Sequence, residues 1–147
     1  MRRLPPLLRR AWYSLNQVFR HRIASLGITP DQYSILRWLS ESPVEGLTQS
    51  DITDLMASDP NTIAAIVRRM EAAGLVIRPP HERDRRAKRV QIQPAGSATF
   101  SEAHSIAIEL QKNVLNDLTL AESDQFLELL EKVADACARQ ANGHKPT

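Results

Sequence analysis

Asp59 and Pro60 at one end and Gly74 at the other bracket a segment that has little choice but to be a helix. Asp59 can accept a backbone N–H, Pro60 fits the first helical position where no donor is needed, and Gly74 supplies a left-handed stop. Between them Ile63, Ile66, Val67 and Met70 recur at three- and four-residue spacing and build one apolar stripe, with Glu71 at its border. Asn61, Thr62, Ala65, Arg68, Arg69 and Ala72 are thereby left facing outward. Hydrogen-bonding residues in the first turn and two arginines near the end suit a helix that enters a major groove N-terminus first, where first-turn side chains meet base edges. The stripe by itself defines only a surface helix.

The residues after Gly74 narrow the choice. Leu75-Val76-Ile77 is a short apolar run rich in β-branching, and Arg89 to Gln93 alternates with period two, so the pair reads as a hairpin. Its connection, Arg78 to Lys88, is polar, Pro-bearing and mostly basic. Arg83, Arg85, Arg86 and Lys88 on such a tip can straddle a phosphate backbone or place a guanidinium in a narrow minor groove. Asp84 among them would repel DNA if unpaired, so it is expected to pair with an arginine and orient the ribbon against the preceding helix. On composition alone the run is equally a solvated turn.

Upstream, Thr48-Gln49-Ser50-Asp51 carries an N-terminal capping pattern for a short helix that Ile52, Leu55 and Met56 are expected to bury, and Ala57-Ser58 leads into the second helix. Two short helices joined by a tight turn have the spacing of a helix-turn-helix. The first should cross the DNA backbone, with Thr48, Gln49 and Ser50 near enough to hydrogen-bond phosphates, contacts that position a protein without specifying sequence.

From about Thr29 to Gly96 the chain resembles the multiple-antibiotic-resistance regulator (MarR) family of winged helix-turn-helix repressors. The most specific match is Asp84-Arg85-Arg86 followed by Val90, Ile92 and Gly96, which follows the family's wing pattern of Asp-x-Arg, then Val-x-Leu-Thr and a Gly. Three positions depart from it. Ile92-Gln93 replaces Leu-Thr, so the next helix lacks a good N-cap at a cost of about 1 kcal/mol; Ala64 and Ala65 stand where relatives often carry Thr and Arg; and His81-Glu82 replaces the usual wing entry. The resemblance implies a mainly α fold with a small β-wing: a winged helix-turn-helix lobe at 29–96, and dimerisation helices at 5–26 and 94–140, within one chain of 1–147. It further implies a homodimeric, DNA-binding transcriptional regulator, most simply a repressor released by a small molecule.

The remaining segments agree with that plan. Pro5-Pro6 precede a helix to about Leu26, with Leu8, Trp12, Leu15, Val18, Phe19 and Ile23 on one broad face. Thr29 and Gln32 form a capping box for the next helix, whose core stripe is Ile35, Leu36 and Leu39. Ser42 to Gly46 is a turn, and a short strand near Leu47 can join the ribbon as a third strand. Pro94 starts a long helix through Leu118, with Ala103, Ala107, Leu110 and Val114 on one seam. Thr119 and Glu122 then cap a last helix carrying Phe126, Leu129, Leu130 and Val133. The apolar surplus of these flanking helices is most simply buried by a second copy, a two-fold dimer reading a pseudo-palindrome of double-stranded DNA with half-sites about 10 base pairs apart.

The charge distribution sharpens this reading. The net charge is only +2, yet arginines crowd the N-terminal arm and the ribbon, whereas the last two helices are mostly acidic. There is no apolar stretch of about 20 residues and no secretory leader, so a reducing cytoplasm is expected and no membrane. The single Cys137 excludes an internal disulfide, and Asp135, Val133 and Ala134 do not make the electropositive setting a reactive thiol needs. His21, His81, His104 and His144 share no ligand spacing, and no nucleophile elbow, phosphate loop or paired carboxylate is present, so neither a metal, a cofactor nor an enzyme is expected. Trp12, Tyr13, Phe19, Tyr33 and Trp38 all fall in the first two helices. Such clusters are usually core, but the resemblance places a small-molecule pocket between the DNA-binding lobe and the dimer helices. Trp12, Tyr33 and Trp38, with His21 as polar anchor, are the candidates to hold an aromatic or phenolic effector. A non-specific architectural DNA binder and a winged-helix protein-interaction module remain as alternatives.

Overall fold

A computed structural model describes residues 1–79 and 89–143; residues 80–88, which carry Arg83, Asp84, Arg85, Arg86 and Lys88, and residues 144–147 lie outside the described residues. The chain divides into two compact units, Met1–Ile108 and Glu109–Thr147.

The first unit opens with helix α1 (Leu4–Ile23), started by its two prolines and ended by a 3-10 turn, Ala24–Leu26, so the α-helix stops three residues short of the expected Leu26. Gly27 closes that turn in the left-handed region, φ 73°. Helix α2 (Pro30–Ser40) has the expected capping box: the Gln32 N–H donates to Thr29 Oγ1 and the Thr29 N–H donates to Gln32 Oε1, both at 3.2 Å. Strand β1 (Leu47–Thr48) then runs directly into helix α3 (Gln49–Leu55). Thr48 is at once the last residue of the strand and the cap of the helix, with Asp51 completing a second capping box.

Helix α4 (Pro60–Ala72) follows, then strands β2 (Val76–Ile77) and β3 (Arg89–Ile92). The sheet order is β1-β3-β2, antiparallel throughout, with Leu47 opposite Val90 and Val76 opposite Ile92. The strand expected near Leu47 is therefore the third strand, and it lies on the far side of β3 from β2. Side chains pin the loop before it: Arg89 Nη1 donates to the Gly46 carbonyl at 3.1 Å and Gln91 Nε2 to the Glu45 carbonyl at 3.2 Å.

The core is assembled from the stripes that periodicity marks out. Ile23, Ile35, Leu36, Ile52, Ile63, Val67, Met70, Val76 and Val90 are fully buried, joined by Leu39, Ile66, Leu75 and Ala103. At roughly 1.5–3 kcal/mol for each such side chain, this shared core holds the helix-turn-helix to its sheet far more strongly than any cap. One core expectation fails: Leu55 is 42% exposed, and Thr53, three residues after Ser50, is the buried residue beside Ile52. The helix has only seven residues and its end turns away from the core.

Helix α5 (Pro94–Val114) ends four residues before the expected Leu118, because the chain turns at 115–118 before the Thr119 cap. Val114, placed on its seam by periodicity, is 55% exposed. In the second unit helix α6 (Leu120–Asn142) carries the Thr119–Glu122 capping box, and none of its side chains is buried. Among the described residues no helix is long and apolar enough to cross a membrane.

Candidate nucleic-acid interface

Two helices and the turn between them define the surface. The α3–α4 turn is made by Met56 to Asp59, with the Ala57 N–H donating to the Asp54 carbonyl and the Ser58 N–H to the Thr53 carbonyl, each at 3.1 Å. Ala57 has φ 49°, the one non-glycine residue with positive φ among those described, so the turn carries a strain that glycine would relieve. Asp59 then caps α4: Oδ1 accepts the Thr62 N–H at 2.9 Å, and Oδ2 accepts the Thr62 hydroxyl at 2.6 Å. The Thr62 hydroxyl bond, followed by its backbone bond, holds the Asp59 carboxyl below the ordinary carboxylate range.

That cap has a chemical consequence. The hydroxyl proton of Thr62 is committed to Asp59, so toward a groove Thr62 presents an acceptor and a methyl group. An acceptor suits the exocyclic amino group of adenine or cytosine, and a methyl suits thymine. Beside it Asn61 is exposed and free to present both halves of its amide, and Arg68 and Arg69 are exposed further along the helix. Ala65 is half-buried rather than fully outward, so it offers a small patch of methyl surface between the polar ends. Asn61, Thr62, Ala65 and Arg69 line one side of an open groove of about 600 Å³ whose other side is Arg20, Thr29, Asp31 and Gln32.

At the start of α3 the three candidates have different roles. Ser50 is exposed; the Thr48 hydroxyl oxygen is engaged by the Asp51 N–H at 3.0 Å; and Gln49 is half-buried, its Oε1 accepting from Arg78 Nη1 at 3.2 Å. Arg78 in turn forks onto Glu71, with Nη2–Oε1 at 2.9 Å and Nε–Oε2 at 3.3 Å. The bonds from Arg78 hold the Glu71 carboxyl below its ordinary range, and Glu71 raises the guanidinium's. Sequence reasoning missed this group, placing Glu71 only at the border of a stripe and Arg78 only at the start of a basic run. The available signal was that a seven-residue step across Gly74 folds the helix end back beside the strand. The expected partners of Asp84 and the basic tip residues Arg83, Arg85, Arg86 and Lys88 lie outside the described residues.

The aromatic candidates do not form one group. Tyr33 packs edge-on against Phe19, with centroids 4.9 Å apart, and stacks on Phe100 at 5.6 Å. Its hydroxyl lies 3.1 Å from His104 Nδ1, and His104 stacks on Phe100 at 5.2 Å. Burial raises the Tyr33 phenol above its ordinary range, opposed in part by Arg37. Trp38 instead carries the Arg37 guanidinium over its ring at 4.6 Å, His21 is exposed at a surface cleft with Gln17, Arg20 and Arg22, and Trp12 is 66% exposed. Phe100 and His104, on α5, were not among the sequence candidates; the residues that make the cluster lie some 70 positions from Tyr33, and only the fold brings them together.

A three-stranded antiparallel wing on a helix-turn-helix defines the winged helix-turn-helix class. The MarR family model matches residues 28–88. The transcriptional regulator HosA of Escherichia coli O111:H- is 27% identical over 135 residues, covering 88% of this chain and 98% of its own. The HTH-type transcriptional repressor Rv2887 of Mycobacterium tuberculosis is 27% identical over 125 residues, covering 82% and 88%. The crystal structure of Rv2887 in complex with DNA superposes with a TM-score of 0.76 at 26% identity, over 90% of this chain and 98% of that one. The MepR–DNA complex of S. aureus superposes with a TM-score of 0.84 at 23% identity, over 92% and 99%, a likeness of fold. The chain belongs to the MarR family of transcriptional regulators.

Proposed function

We propose that this chain is a sequence-specific DNA-binding repressor that works as a homodimer and is released by a small aromatic or phenolic effector. The observation that carries the reading is the outer face of α4, where Asn61, Thr62, Arg68 and Arg69 stand exposed while the opposite face is fully buried in the core. A helix held this rigidly, with base-reading groups in its first turn and cations in its last, can enter a major groove, and Ser50 and Gln49 sit on the helix that would cross the backbone. Arg83, Arg85, Arg86 and Lys88, with Asp84 to orient them, would add phosphate or minor-groove contacts. Rv2887, described as a repressor and crystallised with DNA, supports the same reading.

A second copy is called for by α1. Leu4, Leu7, Leu8, Trp12, Leu15 and Val18 are each at least 38% exposed, a row too long to leave in water. In α6 Phe126, Leu127 and Leu129 are exposed likewise. The dimerisation helices are accordingly assigned to 5–26 and 94–140, and the DNA-binding lobe to 29–96. The effector is assigned to the neighbourhood of Tyr33, with Trp12, His21 and Trp38 as the other candidates, because Tyr33 is a half-buried aromatic phenol with a polar partner between α1, α2 and α5.

A salt titration of DNA binding tests the function: log affinity should fall steeply with log salt, whereas a protein-docking module would show no such slope. Competition with random duplex then separates a regulator, which prefers its operator by about a thousandfold or more, from an architectural binder. Equal affinity for both duplexes would overturn the repressor reading.

A further inference from the structure

Of the two ion pairs among the described residues, Glu128–Lys132 lies within α6, and only Glu71–Arg78 joins different elements. Arg78 is the residue after β2, where the chain leaves the sheet toward the wing tip; Glu71 is in the last turn of α4; Gln49 is the first residue of α3. One guanidinium thus bonds both helices of the helix-turn-helix from the root of the wing, through three separate N–H donors. Its side chain is 23% exposed, so these bonds compete with little water.

The bond to Gln49 also fixes which way that amide faces. Arginine has donors only, so it must meet the Gln49 oxygen, and the NH₂ group is turned away from Arg78 with both its hydrogens unclaimed by any bond among the described residues. Two donors at the first turn of α3 are what a phosphate oxygen needs. Had the amide faced the other way, it would offer a lone pair to an anion.

We propose that Arg78 is a positioning residue for DNA binding: without touching DNA itself, it holds the Gln49 amide donors-outward and locks the root of the wing to the end of α4. This rests on the reading of the chain as a DNA-binding protein. Glu71 is then required for binding although it is an anion near a polyanion's site, because it is what holds Arg78.

The sign of the Glu71 effect is the test. Glu71→Gln, Arg78→Lys and Gln49→Ala, alone and with the last two combined, would be titrated by fluorescence anisotropy against a labelled mixed-sequence duplex of about 30 base pairs, three helical turns, at several salt concentrations. Thermal melts of each variant would show the folded fraction. Arg78→Lys keeps the charge but cannot fork, and should weaken binding about tenfold, the factor for one well-formed hydrogen bond. Its slope of log affinity on log salt should become shallower by about one although no charge was removed. Glu71→Gln should also weaken binding, and Gln49→Ala should add little once Arg78 is lysine. If Arg78 instead contacted phosphate directly, or the pair were only a surface ion pair, Glu71→Gln would bind as tightly as the parent or tighter, and the Arg78 and Gln49 effects would multiply. Either result overturns the proposal. A parent chain with no salt-dependent binding would overturn the DNA-binding reading itself, a distinct outcome of the same titration.

Discussion

Replacing Gly46 by alanine puts a methyl group where the structure has no room. The added Cβ would lie 1.9 Å from the Val90 carbonyl oxygen and 2.8 Å from its carbon. A carbon–oxygen contact is comfortable at about 3.3 Å, so backbone must retreat by about 1.4 Å. The obstacle is the strand itself, since Val90 pairs with Leu47 in β3 and is fully buried. Three costs combine. The left-handed backbone, φ 81°, disfavours a side chain by about 1–2 kcal/mol; a lost ladder hydrogen bond removes about 1; and crowding a packed core adds about 1–3. A total of about 4 kcal/mol lowers the melting temperature of a chain this size by roughly 8–16 °C. Gly27 is the matched control, with φ 73° and nothing within 4 Å of its added Cβ, so Gly27→Ala carries only the backbone cost and should lose roughly 2–8 °C. Circular dichroism melts of both variants at one protein concentration measure the difference. Equal melting temperatures would refute the close approach of the Gly46 loop to β3.

Other outcomes come from the same geometry. Ala57→Gly should raise stability by about 0.5–1 kcal/mol in chemical denaturation by relieving the left-handed alanine of the α3–α4 turn; a loss would show that the turn is not strained. Thr62→Val keeps a methyl but removes the acceptor and the bond to Asp59, and should shift base preference at one operator position by about 1–3 kcal/mol in a substitution-panel binding assay, whereas Arg69→Ala should weaken all sequences alike. The depressed carboxyls of Asp59 and Glu71 contribute stability that is fully present above the ordinary carboxylate range and is lost as pH falls through their lowered folded values. Denaturation from pH 7 downward should therefore show a decline below about pH 4.5 that is smaller in Asp59→Asn and Glu71→Gln.

Legibility in the sequence followed the range of the forces involved. The caps Thr29, Thr48, Asp59 and Thr119 were readable because each bond spans three residues and depends on residue type alone. So was the stripe Ile63, Ile66, Val67, Met70, whose burial is complete or nearly so. The third strand at Leu47 was readable because a breaker-bounded apolar residue beside a ribbon has few other places to go. Leu55 was misjudged because a seven-residue helix presents too few turns for periodicity to say where its end points. The end of α5 was placed at Leu118 rather than Val114 because Asn116 and Asp117 break a helix only weakly. The Glu71–Arg78–Gln49 group and the Tyr33–His104 contact were out of reach, since they join residues 29 and 71 positions apart whose polar types say nothing about one another.

Thr48 belongs to a strand and a helix simultaneously, and no residue between β1 and α3 can act as a hinge. The sheet and the helix-turn-helix consequently behave as a lever without play, one in which a tilt of the ribbon is felt at the first turn of α3. A duplex of unfavourable groove width would find no local give to meet it, so mismatch must be absorbed by bending the DNA or by changing the distance between lobes. Any ligand that releases this protein would do so by stretching or closing that distance, and a mutation that inserted one flexible residue after Thr48 would make grip insensitive to it.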